Sequence, residues 1–121
     1  MAQKLKITED DLQRQCITWF KLAYRPFALR IFHPANGGFR NAIEAAKLKA
    51  MGVLPGVCDI IITVPNKDYS GLFCELKVGY NDLSAYQEAF IKAHEKEYSC
   101  HVIRTVEEFI CVVNNYFKNR L

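Results

Sequence analysis

Apolar positions along the chain change period several times, and each change predicts an element. Leu12, Cys16, Trp19, Phe20 and Ala23 recur at helical spacing behind Thr8, with Asp11 completing an N-cap with an acidic first turn. That pattern predicts a helix from Thr8 to about Tyr24, ended by Pro26, because a proline turns the preceding residue away from helical geometry. Phe27 to Phe32 is a short strand candidate, and His33-Pro34-Ala35-Asn36-Gly37-Gly38 is a loop. Asn41 to Met51 reads as a helix closed by Gly52, followed by a loop around Pro55 and Gly56. Cys58 to Val64 is a β-branched apolar run, hence a buried strand. Pro65 to Gly71 is a turn, and Leu72 to Val78 the partner strand of a hairpin. Ser84 to about Lys96 is a helix with Ser84 and Gln87 at capping-box spacing. Ser99 to Arg104 is a strand, and Thr105 to about Phe117 a last helix with Thr105 and Glu108 spaced as another box. The order α β α β β α β α predicts an α/β fold, a mixed sheet flanked by helices on both sides.

Charges interrupt two of these strands. Asp59 opens the Ile-Ile-Ile run, and Glu75 and Lys77 sit inside Leu72-Phe73-Cys74-Glu75-Leu76-Lys77-Val78. Residues two apart in a strand share a face, so Glu75 and Lys77 point the same way as Phe73. A hairpin centred near Asp68 would set Asp59 across from Lys77 and diagonal to Glu75. Two carboxylates gathered in an apolar sheet repel unless a positive charge intervenes. A divalent cation is the usual remedy, and Mg²⁺ takes one or two carboxylates plus water and substrate phosphate. Such an ion stabilises charge on a phosphate, and Lys77 would position or activate the attacking water or stabilise the transition state. The competing reading is a cross-strand salt bridge on a half-exposed face.

Composition narrows the field without deciding it. The 121 residues suit one domain, and with 50% hydrophobic and 24% charged residues the chain can bury a core unaided. No run approaches the roughly 18 apolar residues of a membrane span, and the polar start from Met1 to Asp10 does not read as a secretory leader. Cys16, Cys58, Cys74, Cys100 and Cys111 are odd in number and widely spaced, with no C-x-x-C pair, which predicts buried thiols in a reducing cytoplasm rather than a zinc knuckle. The net charge of +3 permits nucleic-acid binding without arguing for it.

Asp59 followed sixteen residues later by Glu75-Leu76-Lys77 resembles the Asp…Glu-x-Lys signature of the PD-(D/E)xK nuclease superfamily. The surrounding segments are more specific: Glu9-Asp10-Asp11-Leu12-Gln13, His33-Pro34-Ala35-Asn36-Gly37-Gly38, the stretch from Leu48 through Gly52, Pro55 and Gly56 to Asp59, and Leu83-Ser84-Ala85-Tyr86-Gln87. Together, from about Thr8 to about Glu107, they resemble the VRR-NUC branch, the virus-type replication-repair nucleases, and among them the stand-alone phage and prophage forms. The resemblance implies a restriction-endonuclease-like fold and a Mg²⁺- or Mn²⁺-dependent DNA endonuclease of the bacterial or phage-infected cytoplasm. It implies Asp59, Glu75 and the Leu76 carbonyl as metal ligands, Lys77 as the catalytic lysine, and Glu9 as an acid completing the site directly or through water. Gln87 matches the family's glutamine on the helix after the catalytic strand. One departure is Cys58, where the family usually has proline; Pro55 lies three positions earlier.

Several of these residues have an ordinary reading as well. Glu9 in a first turn stabilises the helix dipole, and Gln87 caps its own helix. Asn36, Gly37 and Gly38 form a turn or offer amides to a phosphate. Arg40, Lys47 and Lys49 form a solvated face or contact DNA phosphates. His33 flanks that loop and is either structural or a contact to DNA or the active site, and His94 and His101 read as surface or satisfied residues. A homodimer would suit two-fold-symmetric branched DNA such as a four-way junction. The alternatives are a nuclease of flaps, linear ends or single strands, a catalytically silent nucleic-acid-binding module of the same fold, and an unrelated small α/β protein with surface ion pairs.

Overall fold

A computed structural model describes residues 6–35 and 41–121. Helix α1 spans Glu9–Ala23, and its capping box is complete: Thr8 Oγ1 accepts from the Asp11 N–H at 3.1 Å while the Asp11 carboxylate accepts from the Thr8 N–H at 3.2 Å. Its apolar stripe buries Leu12, Cys16 and Phe20 at i, i+4 and i+8, one face of a helix. The segment expected as a strand from Phe27 is instead a 3-10 helix over Arg25–Arg30, and β1 is only Ile31–Phe32. Pro26 explains the difference, because its fixed φ suits a first helical turn and restarts helical geometry where α1 stops.

Helix α2 (Ala42–Ala50) is capped by Asn41, whose Oδ1 accepts from the Glu44 N–H at 2.8 Å. It closes in a Schellman motif, with Gly52 and Val53 donating to the Lys49 and Leu48 carbonyls and Gly52 at φ +98°. Strand β2 (Ile60–Ile62) and strand β3 (Gly71–Leu76) form the hairpin, α3 (Ala85–His94) crosses over, β4 (Tyr98–Ile103) returns, and α4 (Val106–Lys118) ends the fold. In α4 Thr105 Oγ1 accepts from Glu108, but the Glu108 carboxylate reaches the Arg104 N–H rather than that of Thr105, so the expected second box is displaced by one residue.

The sheet order is β1-β2-β3-β4, antiparallel except for the β3–β4 pair. A parallel pair needs a crossover element, which α3 supplies. Every residue of β3 is buried, as expected for a central strand covered on both faces. Leu72, Cys74 and Leu76 join Ile60, Ile62 and Ile103 under α1 and α4, where Phe109, Val113 and Phe117 complete the main core. Phe73 faces the other way and stacks on Phe90 of α3 and on Tyr98. Helices therefore cover both faces, and alternation sends Glu75 to the α3 side with Phe73.

The hairpin register differs from the expected one. Ile60 pairs with Cys74, Ile61 with Phe73 and Ile62 with Leu72, and one further step sets Asp59 opposite Glu75, not Lys77. The turn is organised by Asn66, whose Oδ1 accepts from the N–H groups of Asp68 and Tyr69, while its own N–H donates to the Tyr69 carbonyl. Pairing is thereby centred one residue earlier than Asp68, which moves each partner by two and preserves the face. Of the cysteines, Cys16, Cys58 and Cys74 are buried, Cys100 is half-buried and Cys111 is exposed on α4, contrary to the expectation of uniformly buried thiols; all five are free. No described helix is long and apolar enough to cross a membrane.

Candidate active site

Asp59 precedes β2 and is tied to β3 by main chain and side chain alike. Its N–H donates to the Cys74 carbonyl at 3.1 Å, and its Oδ2 accepts from the Leu76 N–H at 2.8 Å. Main-chain bonds of this kind fix a carboxylate more tightly than a flexible surface pair can. Glu75, directly across, is only 4% exposed, the one buried charged residue among those described. Its Oε1 accepts from Gln87 Nε2 at 2.9 Å.

Gln87 divides its amide between two tasks. Its Oε1 accepts from the Ser84 N–H at 2.8 Å and Ser84 Oγ accepts from the Gln87 N–H at 3.2 Å, which completes the capping box of α3. The remaining Nε2 donates to Glu75, so the helix cap aims the donor. The structural and the site reading of this residue hold together.

Burial raises the Glu75 carboxyl from 4.5 to about 9, helped by the Asp59 carboxyl within hydrogen-bonding reach and by its charge. Lys77 opposes the rise and Glu9 adds to it, so both lie close enough for their fields to be felt at Glu75. In the metal-free protein a proton thus stands where two carboxylates would otherwise repel. Among the described residues no three acidic, imidazole or thiol side chains converge as a metal cluster.

The Asp59 and Glu75 donor set fits a hard cation. It offers carboxylate oxygens at a point that already needs a positive charge, and Mg²⁺ or Mn²⁺ takes one or two carboxylates while leaving positions for water and phosphate. It does not suit a thiolate-bound ion: burial, with the nearby Glu75, Cys100 and Asp59 charges, pushes the adjacent Cys58 thiol up to about 12.

Lys47 and Lys49 are exposed on α2, and Asn36, Gly37, Gly38 and Arg40 lie outside the described residues. Two further residues contribute. His33 Nδ1 donates to the Asp59 carbonyl at 2.6 Å, joining the end of β1 to the residue that carries a site carboxylate. Gly56 approaches α3 so closely that a Cβ would lie 2.5 Å from the Tyr86 carbonyl carbon and 2.9 Å from the Gln87 nitrogen. The Pro55-Gly56 pair was the only hint of that contact.

A mixed four-stranded sheet with helices on both faces and an acid pair on its hairpin is the architecture of a nuclease-type α/β domain. No family model matches the sequence, and no curated protein matches it. Among solved structures the chain is similar to a VRR_NUC domain protein, at 30% identity over 96% of this chain and 93% of that one, with a TM-score of 0.81. The chain belongs to the VRR-NUC domain family.

Proposed function

We propose that this protein is a Mg²⁺- or Mn²⁺-dependent DNA endonuclease. The observation that carries the reading is the buried Glu75 carboxyl facing Asp59, raised to about 9 by burial and by the Asp59 carboxyl beside it, and held by Gln87. A buried carboxyl beside a second acid costs stability, and a fold tolerates that cost where the two have work to do. Asp59, Glu75 and the Leu76 carbonyl would hold the ion. Bound there, it would supply positive charge against the phosphate and acidify water.

The remaining steps fall to side chains. Gln87 keeps Glu75 in one orientation, and the Leu76 N–H does the same for Asp59. Lys77, on the same face, presents an ammonium that orients water for attack or stabilises charge on the phosphate as it becomes pentacoordinate. Glu9, whose charge reaches Glu75, would complete the site directly or through water. Lys47 and Lys49, with Asn36, Gly37, Gly38 and Arg40, are assigned to the DNA backbone, where cations and amides meet phosphates.

We assign the protein to branched DNA such as a four-way junction, cut by a homodimer. Support comes from α2, which has no buried residue and leaves Ile43 exposed; Met51, Leu54 and Tyr86 are exposed as well. The test is cleavage of linear duplex, single-stranded, flap and four-way-junction DNA with Mg²⁺, Mn²⁺ or chelator, beside Lys77→Ala. Metal-dependent cutting lost by about 100-fold or more in the variant is the expected result for removal of a transition-state donor. Equal activity of Lys77→Ala, or none from the wild type with either metal, rejects the reading.

A further inference from the structure

Past the ends of β3 and β4 the surface opens into a cavity of about 590 Å³, whose lining includes Lys6, Val78, Gly79, Tyr80, Asn81 and Arg104. Its size lies within the roughly 300–1,000 Å³ of small-ligand sites. Each wall continues a segment of the candidate active site. Val78 follows Lys77, Arg104 follows Ile103, whose carbonyl accepts from the Lys77 N–H at 3.0 Å, and Lys6 enters the helix that begins at Glu9.

The chemistry of these walls is not that of a core. Tyr80 is fully exposed, its ring carried outward by the turn at Gly79, which has φ +60°. Arg104 is fixed at the rim through one guanidinium donor, Nη1 to the Gly79 carbonyl at 3.0 Å, while its backbone N–H is held by Glu108. Among the described residues neither Lys6 nor Arg104 is in an ion pair. Two cations, an exposed aromatic face and the Asn81 amide, which both donates and accepts, match the parts of a nucleotide.

We propose that this cavity is a subsite for one unpaired nucleotide of the DNA strand adjoining the cleaved phosphodiester, with its phosphate between Lys6 and Arg104 and its base stacked on Tyr80. The proposal rests on the nuclease reading. The nucleotide must be unpaired because a base inside a duplex already has both faces covered by its neighbours, so the ring can engage only a base that has left the stack. Stacking on an aromatic side chain tolerates any base, which suits recognition of branched or tailed DNA rather than of a sequence. A blunt duplex cannot fill the subsite without fraying.

The test is binding, measured by anisotropy in chelator so that no DNA is cut. It compares a blunt duplex with one of equal paired length carrying a single-stranded tail. Stacking is lost in Tyr80→Ala, which is expected to bind the tailed duplex about 5- to 150-fold more weakly and the blunt duplex unchanged. Tyr80→Trp restores the difference, and Arg104→Gln lowers the salt slope by about one. Tyr80 touches no core, so an unchanged melting temperature verifies each variant.

The proposal is overturned if Tyr80→Ala binds tailed DNA as the wild type does, if it loses both duplexes equally, or if the wild type shows no preference for the tail. Cleavage of the same DNAs with Mg²⁺ or Mn²⁺ separates the two readings. A wild type that cuts, beside a Tyr80→Ala that binds and cuts identically, removes the subsite and keeps the nuclease. A wild type that cuts nothing removes both.

Discussion

Glu75 and Asp59 share one point on the sheet, and their proton balance sets how stability depends on pH. In the folded metal-free protein Glu75 is raised to about 9, whereas in the unfolded chain it titrates near 4.5. Between those values the folded state holds a proton that the unfolded chain releases. The stability tied to Glu75 is therefore fully present below 4.5 and is lost as pH rises through about 9. In chelator the melting temperature is expected to fall across that window. Glu75→Gln, neutral throughout, should flatten the fall and melt above the wild type at pH near 8. Added Mg²⁺ or Mn²⁺ should raise the wild type there and leave Glu75→Gln unmoved. A wild-type melting temperature that stays level in chelator would mean that Glu75 ionises freely and carries no such burden. Asp59, Glu75 and Lys77 were legible in the sequence because a charge inside an apolar strand is conspicuous. The two-way use of Gln87 was not legible from spacing, since the cap engages Oε1 and the site engages Nε2 of one amide. His33 was visible as a neighbour of the loop but its partner was not, because a bond to a main-chain carbonyl selects no residue type in its partner.

At the scale of elements, the site depends on how the loop before β2 meets α3. Gly56 has φ +88° and no room for a Cβ, while Gly52 has φ +98° and open space around it. Both substitutions to alanine incur backbone strain of about 1–3 kcal/mol. Only Gly56→Ala must also move the Tyr86–Gln87 peptide, adding about 1–3 kcal/mol of overpacking. Displacing that peptide shifts the Gln87 amide, so activity should fall about 10- to 100-fold beyond the effect of Gly52→Ala, the range for loss of a group that orients a metal ligand. Denaturant melts and cleavage rates of the two variants, side by side, check this; equal rates would detach the Gly56 contact from the site. Capping residues made the helices readable to within a residue or two, as Thr8, Asn41, Ser84 and Thr105 all cap where their side chains allow. The hairpin register escaped because Pro65 and Gly71 bound a turn without centring it, and the Asn66 side chain that does centre it has several acceptable partners nearby. The strand expected from Phe27 failed because an apolar run of that length suits a short helix equally well once a proline precedes it.

For the whole molecule, the open question is what covers α2. A helix of nine residues with none buried, carrying Ile43 at 85% exposure and leading to Met51 at 70%, gains little from the fold that bears it. Packing against the same surface of a second copy would bury that stripe on both sides of a two-fold axis, the arrangement that closes without leaving an edge. A stable pair needs about 800 Å² from each partner, more than Ile43 and Met51 alone provide, so further exposed side chains such as Leu54 and Tyr86 would have to join the interface. Light scattering across a concentration series should then give twice the chain mass for the wild type and the single-chain mass for a double variant, Ile43→Ser with Met51→Ser. Neither residue supports the core, so the variant should melt as the wild type does at low concentration. Asp59, Glu75 and Lys77 all lie outside α2, so the monomer should keep its chemistry and lose only the pairing of its cuts. A four-way junction would be nicked on one strand rather than opened on two. A wild type that scatters as a monomer at every concentration would remove the dimer, and with it the physical reason to expect symmetric incision.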